Sequence, residues 1–201
     1  MKSLAIMGGT FDPIHNGHLV VAEQARHKFE CDKVVFVPAA QPPHKDQAAI
    51  TTSVDDRLTM TRLAVASNPW FEVSTLEIER PGPSYTIDTV KAVKEVYRPE
   101  KLYFITGADA VLEILTWKSV EELLGLCYFI AATRPGYDLS DLQKKLNILP
   151  NVCLKKIIPF YVPSLAISST DIRNRVQRRE PIKYLLPEPV ENYIKEHLLY
   201  L

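Results

Sequence analysis

The chain has 201 residues, a length that suits one domain with a substantial hydrophobic core. Its 24 basic and 24 acidic side chains give a formal net charge of zero, which argues against a general nucleic-acid or membrane surface. The three cysteines stand singly, so we expect a reducing compartment and no disulfide framework. Because no apolar run could span a bilayer and no signal-peptide pattern opens the chain, we expect a cytoplasmic protein.

Short apolar runs and helical periodicity alternate along almost the whole chain. The apolar runs predict strands over residues 3–7, 33–38, 71–78, 102–106, 128–132 and 152–158. The periodic segments predict helices over residues 17–29, 54–67, 86–97, 109–115, 120–124, 139–146, 169–177 and 189–199.

This alternation predicts a Rossmann-like α/β fold: a doubly wound, mainly parallel sheet with helices on both faces. We expect a single domain over residues 1–201, with a C-terminal helical portion, about 168–201, packed on it. Ligands of such sheets bind at the carboxyl ends of the strands. The apolar C-terminal helix is equally consistent with packing inside the chain and with an interface, so a homo-oligomer stays open.

A glycine-rich turn follows the first predicted strand and runs from Gly8 to His18, with the sequence GGTFDPIHNGH. Such a turn exposes backbone N–H groups at the positive end of the next helix, which suits a phosphate. His15 and His18 fall on one face of the first helical turn. They could instead ligate zinc, but no cysteine pair completes such a site. Asp12 is a weak candidate for a metal ligand, because Asp before Pro is more often a turn residue. The turn therefore indicates polyphosphate chemistry.

A second anion site is predicted near the C-terminus, where residues 167–173 read ISSTDIR. A Ser/Thr run before a helical pattern is an N-cap signature, and its N–H groups are suited to an anion. Arg173 lies about one turn into that helix, where its guanidinium could contact two phosphate oxygens. Alone, the segment is more typical of an ordinary capped helix with a solvated arginine.

The two segments resemble the HxGH and ISSTxIR signatures of the nucleotidyltransferase superfamily, whose members transfer a nucleoside monophosphate from a nucleoside triphosphate and release pyrophosphate. The resemblance implies in-line attack of an acceptor phosphate on the α-phosphorus of ATP, with positioning and charge stabilisation in place of a general base. Mg²⁺ is expected to arrive with ATP, with no protein ligand assigned. The implied catalytic residues are His15, His18, Lys45 and Arg173. The implied ATP-binding residues are Gly8, Gly9, Thr10, Phe11, Ile167, Ser168, Ser169 and Thr170.

Three further stretches resemble bacterial nicotinate-mononucleotide adenylyltransferases. They are VP at 37–38 with PPHK at 42–45, RPGPSYT at 80–86, and TGAD at 106–109 followed by LTW at 115–117. The resemblance implies nicotinate mononucleotide as the acceptor, bound by Tyr85, Thr86, Gly107, Asp109, Trp117 and Arg134.

The residue chemistry is consistent with this acceptor. Trp117 offers a flat face for a pyridinium ring, and the start of the helix at Tyr85 and Thr86 offers donors for a carboxylate. Asp109 can accept a hydrogen bond from a ribose hydroxyl. The same residues have simpler interpretations: Trp117 as a core aromatic, Thr86 and Asp109 as helix caps, and Arg134 as a solvated side chain.

Other functions stay open at this stage. The rival acceptors are nicotinamide mononucleotide and phosphopantetheine, and a nucleotide-sensing module that has lost the chemistry is the rival from another class. Residues 39–52 form the longest irregular stretch and are a candidate mobile active-site loop, while their closing on substrate stays an open hypothesis.

Overall fold

The computed structural model describes residues 1–43, 50–133, 149–163 and 165–201. Lys45, Arg134 and the predicted helix 139–146 lie outside the described residues. Within the described ranges, no helix is long and apolar enough to cross a membrane.

One parallel sheet forms the centre of the described structure. Its order is β3-β2-β1-β4-β5-β6, and all five strand pairs are parallel. The chain therefore builds outward from β1 in one direction, then returns to the other side of β1 with β4 and continues. The strands are β1 (Ser3–Gly9), β2 (Lys33–Pro38), β3 (Phe71–Val73), β4 (Lys101–Gly107), β5 (Tyr128–Thr133) and β6 (Ile157–Tyr161).

Helices cover both faces of the sheet. The alternating residues of β1 show this directly: Leu4 and Ile6 belong to one buried cluster, and Ala5 and Met7 to the other. A short 3₁₀ turn, Ile114–Thr116, follows α5. The helices are α1 (Asn16–Lys28), α2 (Val54–Val65), α3 (Leu76–Glu79), α4 (Thr86–Tyr97), α5 (Ala108–Leu112), α6 (Val120–Leu126), α7 (Asn151–Leu154), α8 (Ser169–Gln177) and α9 (Glu188–Glu196).

The two faces are covered by different helices. On the first, α4 and α6 contribute Val90, Val93, Leu123 and Leu124. On the second, α1, α8 and α9 contribute Ala22, Ala25, Ile172, Val190 and Ile194. The parallel sheet with helices packed on both faces confirms the predicted doubly wound fold.

Two predicted strands were partly wrong. The strand predicted over 71–78 ends at Val73, because the hydroxyl of Ser74 accepts a hydrogen bond from Leu76 N and the chain turns into α3. The strand predicted over 152–158 begins only at Ile157, since the carbonyl of Pro150 accepts two amides and opens α7. Short apolar runs do not distinguish a strand from a buried helical turn.

Candidate active site

A cavity of about 510 Å³ lies at the carboxyl ends of β1, β4 and β5. It stands at the point where the strand order reverses between β1 and β4, which is where open α/β sheets bind ligands. Four segments far apart in sequence form its wall: the turn after β1 with the start of α1, the end of β4 with the start of α5, the end of β5, and the chain that leads from β6 into α8. The predicted residues among its lining are Gly8, His15, His18, Gly107, Asp109, Ile167, Ser168, Ser169 and Thr170.

The glycine-rich turn from Gly8 to His18 is called the phosphate turn below, and its other predicted residues lie beside this lining. Phe11 is 2 % exposed and belongs to the core, where its ring meets that of His18 edge-on with centroids 5.2 Å apart. A Cβ on Gly9 would lie 2.8 Å from the ring of Phe11, so only glycine permits this folded position. The carbonyl of Thr10 accepts a hydrogen bond from Arg57. The side chain of Phe11 therefore supports His18 and does not face the cavity.

His15 and His18 stack on each other at the start of α1, with ring centroids 3.8 Å apart and an angle of 25° between the rings. The backbone N–H of His15 donates to Nδ1 of His18 at 3.2 Å. In the neutral ring of His18 the proton therefore resides on Nε2. Burial lowers the pKa of His15 to about 4, so the ring of His15 carries no charge at pH 7.

Gly17 makes room for this stack. A Cβ at position 17 would lie 3.0 Å from both Cε1 and Nδ1 of His15. Any side chain at position 17 would therefore push the ring of His15 away from its place in the stack.

Asp12 is a turn residue whose carboxylate is fully occupied. Its oxygens accept hydrogen bonds from the amide and hydroxyl of Thr51, from the hydroxyl of Thr52 and from the hydroxyl of Tyr200. Four donors leave this carboxylate little capacity to bind a metal ion. Among the residues that the structure describes, no group of three or more His, Cys, Asp or Glu side chains could hold a metal ion.

The predicted second anion segment contacts the first across the fold. Ser168 caps α8 by accepting from Asp171 N at 3.1 Å. Ser169 Oγ donates to the carbonyl of Pro13 at 2.8 Å, and Arg173 Nη1 donates to the carbonyl of Asp12 at 2.8 Å. Arg173 therefore holds the backbone of the phosphate turn, and the N-terminus of α8 faces the same cavity as the N-terminus of α1.

The predicted acceptor residues divide between two cavities. Gly107 and Asp109 line the large one, whereas Tyr85, Thr86 and Trp117 line a smaller one of about 170 Å³. The ring of Trp117 contacts core rings edge-on, as its simpler interpretation predicted, and it also lines the small cavity. The core rings are those of Phe104 and Phe129, with centroids 6.3 and 5.9 Å away.

The cap interpretations of Thr86 and Asp109 were wrong. The N-cap of α4 is Tyr85, without a side-chain cap bond, and Thr86 is the first helical residue. The N-cap of α5 is Gly107, and Asp109 is the second residue of that helix. Both side chains are therefore available at a cavity wall.

The small cavity depends on a contact that the sequence did not predict. Ser84 N donates to the carbonyl of Gln41 at 2.8 Å, and Ser84 Oγ accepts from Gln41 N at 3.1 Å. Behind it, the buried carboxylate of Glu77 accepts from Thr89, and burial raises the pKa of Glu77. The pair of contacts joins the loop before α4 to the loop after β2.

Arg57, on α2, was also missed by sequence reasoning. It is 2 % exposed, and its Nη1 donates to the carbonyls of Thr10 and Ala39, both at 2.7 Å. It thereby fixes the chain just after β1 to the chain just after β2. An arginine on a helix carries no sequence signal for such a role, because its partners are backbone carbonyls.

Fold and cavity together define a nucleotide-binding protein of the Rossmann type. The cytidylyltransferase-like family model matches residues 6–175. A relative from Thermoanaerobacter sp. (strain X514), named "Probable nicotinate-nucleotide adenylyltransferase", is 58 % identical over 98 % of this chain and 93 % of its own length. One of the same name from Moorella thermoacetica is 58 % identical over 98 % of this chain and 91 % of its own. The chain therefore belongs to the cytidylyltransferase-like family and, within it, to the nicotinate-nucleotide adenylyltransferases.

Solved structures show the same fold at low identity. The Plasmodium falciparum nicotinic acid mononucleotide adenylyltransferase complexed with NaAD superposes with a TM-score of 0.75 at 21 % identity, covering all of this chain and 98 % of that one. A Vibrio parahaemolyticus protein described as "a Putative Nicotinate-nucleotide Adenylyltransferase" gives a TM-score of 0.66 at 19 % identity, covering all of this chain and 96 % of its own.

Proposed function

We propose that the protein transfers the adenylyl group of ATP to nicotinate mononucleotide. A phosphate oxygen of the acceptor attacks the α-phosphorus of ATP, the bond from that phosphorus to the β-bridging oxygen breaks, and pyrophosphate leaves. The product is nicotinate adenine dinucleotide. The single observation that carries this proposal is that the N-termini of α1 and α8 meet at one cavity at the switch point of the sheet.

The chain's own residues supply binding and charge stabilisation. His15 is neutral at pH 7, so we assign it a hydrogen bond to the triphosphate and not a fixed charge. His18, with its proton on Nε2, is the second donor. Arg173 and Lys45 are assigned the positive charge that stabilises the leaving pyrophosphate. The stacked rings favour donors over cations here, because two imidazolium ions 3.8 Å apart would repel each other.

The ATP-binding assignments follow the cavity wall. Residues 167–170 line it opposite Gly8, while Gly9, Thr10 and Phe11 can contribute through their backbone only. We assign the acceptor's ring to the small cavity and its ribose to Asp109 in the large one. Arg134 is assigned to the acceptor's phosphate.

Mg²⁺ supplies neutralisation of the phosphate charge when it is bound with ATP. The carboxylate of Asp12 already accepts four hydrogen bonds, which fits an ion whose ligands are phosphates and water.

The three buried, unpaired cysteines support a reducing, cytoplasmic location.

The test is pyrophosphate release from ATP with nicotinate mononucleotide, nicotinamide mononucleotide or phosphopantetheine as the sole acceptor. We expect turnover chiefly with nicotinate mononucleotide. Release with none of the three would contradict the enzyme proposal and favour a nucleotide-sensing module, which ATP binding without turnover would identify. A higher kcat/KM for the amide than for the acid would overturn the choice of acceptor.

A further inference from the structure

The small cavity beside Trp117 has one charged side chain among its described lining residues, Lys118. The others are prolines, hydroxyl-bearing residues and aromatic rings: Pro42, Pro43, Ser84, Tyr85, Thr86 and Trp117. An ammonium in such surroundings is the strongest electrostatic feature that the described wall presents to a ligand.

Two contacts restrict the position of this ammonium. Lys118 Nζ lies 3.2 Å from Oδ2 of Asp88, in the first turn of α4, and 4.5 Å from the ring centroid of Tyr85. The ion pair and the cation–π contact place the ammonium beside the ring of Tyr85, which also lines the cavity. The side chains of Lys118 and Asp88 are 49 % and 35 % exposed, so both can exchange partners without unfolding the wall.

We propose that Lys118 is a specificity-determining residue that selects an acceptor with a pyridine carboxylate over one with the corresponding carboxamide. This inference rests on the proposed function. A ring that stacks on Trp117 brings its carboxylate to the neighbouring residue, Lys118, where the ammonium donates to either oxygen. A carboxamide has no net charge, and an ammonium cannot accept a hydrogen bond from its NH₂ group. The carboxamide therefore gains less binding free energy from the same position.

Asp88 opposes this selection. In the structure its carboxylate takes up part of the charge of Lys118, and a bound carboxylate has to compete with it. Neutralising Asp88 therefore leaves the ammonium entirely to the acceptor. Neutralising Lys118 and neutralising Asp88 should therefore shift the selectivity in opposite directions, which a loss of local structure could not produce.

The experiment compares kcat/KM for nicotinate mononucleotide and nicotinamide mononucleotide, and KM for ATP, in the full chain. We expect Lys118→Met to lower the acid-to-amide ratio of kcat/KM roughly tenfold, through a higher KM for the acid, with KM for ATP unchanged. Lys118→Arg should keep the ratio within about threefold, and Asp88→Asn should raise it. Lys91→Met is the matched control: Lys91 lies on α4, is as exposed as Lys118 and pairs with Glu122 at 2.6 Å, but it does not line the cavity.

Turnover with the acid and an unchanged ratio in Lys118→Met would overturn this inference while leaving the proposed function intact. Equal falls in the ratio for Lys118→Met and Lys91→Met would overturn it as well, because they would show a general effect of charge. No turnover of either acceptor by the unmodified protein would contradict the proposed function itself, and the inference with it.

Discussion

The hydroxyl of Tyr200, the penultimate residue, donates a hydrogen bond of 2.9 Å to Oδ1 of Asp12, 188 residues earlier in the chain. Both side chains are buried, and burial raises the pKa of Tyr200, so the phenol remains a donor. The C-terminal residues thus help to fix the phosphate turn from behind.

Removing that hydroxyl leaves a buried carboxylate oxygen with one donor fewer. We expect Tyr200→Phe to lower the free energy of unfolding by about 1–2 kcal/mol, measured by urea denaturation. Tyr184→Phe is the control, because Tyr184 is 81 % exposed and should change stability by less than about 0.5 kcal/mol. Equal effects of the two substitutions would contradict the importance of the buried bond.

His18→Ala should abolish most turnover while the fold is retained. His18 lines the large cavity and is only partly buried, so we expect kcat to fall by about 10²–10³-fold, as for other lost transition-state donors. Circular dichroism and the thermal midpoint report on the fold. His197→Ala, on the exposed side of the C-terminal segment, should retain activity; a comparable loss there would argue against a specific role for His18.

The stability of the protein should fall as the pH is lowered from about 6.5 to about 4. The pKa of His15 is about 4 in the folded state against an ordinary value of 6.5, so in this range the unfolded chain binds a proton that the native state does not. This group alone contributes a loss of up to about 3 kcal/mol, which levels off below pH 4. Between pH 4 and 7 the free energy of unfolding of His15→Asn should depend less on pH than that of the unmodified protein. The same pH dependence in both proteins would refute this origin.

Trp117→Ala should raise KM for nicotinate mononucleotide far more than KM for ATP, because Trp117 lines the small cavity and not the large one. It should also reduce stability, since the ring packs on Phe104 and Phe129. Trp70→Ala is the matched control, because Trp70 is 48 % exposed and lies away from both of these cavities. Equal increases in the two KM values would refute a stacking role for Trp117.

Gly17→Ala should lower kcat at least tenfold, because its Cβ would displace the ring of His15 from the stack. Gly125→Ala makes the same change inside α6, where a Cβ meets nothing within 4 Å, and should leave kcat unchanged. Steady-state kinetics of both variants separate the two cases, and a fully active Gly17→Ala would show that the stack is dispensable.

Much of the fold was predictable because its evidence is local. The bounds of β2, α4 and α8 agree with the predicted ranges 33–38, 86–97 and 169–177. The segments 71–78 and 152–158 were partly mispredicted because each contains an apolar run that is also a helical turn. In the first, the hydroxyl of Ser74 accepts from Leu76 N, and in the second the carbonyl of Pro150 accepts two amides, so each run contains a helical turn.

The site, too, was predictable from the sequence only in part. The turn with its two histidines was evident in the sequence and lies at a strand end as the rule for such sheets expects, and the family resemblance implied that residues 167–170 share its site. Neither the neutral state of His15 nor the buried position of Phe11 could be read there, because both depend on how other elements cover them. Lys118 gave no signal, since only the fold brings it beside Tyr85 and Asp88.

The sequence by itself determined the order of strands and helices, the parallel sheet, the phosphate turn and the kind of chemistry, because periodicity, turn residues and short motifs act over a few positions. The tertiary structure alone decided that Asp12 is held by Tyr200 and Thr51, that Arg173 holds the turn, and that the predicted acceptor residues line two cavities. These contacts join positions up to 188 residues apart, so they depend on the path of the whole chain and on which polar groups burial forces to find partners.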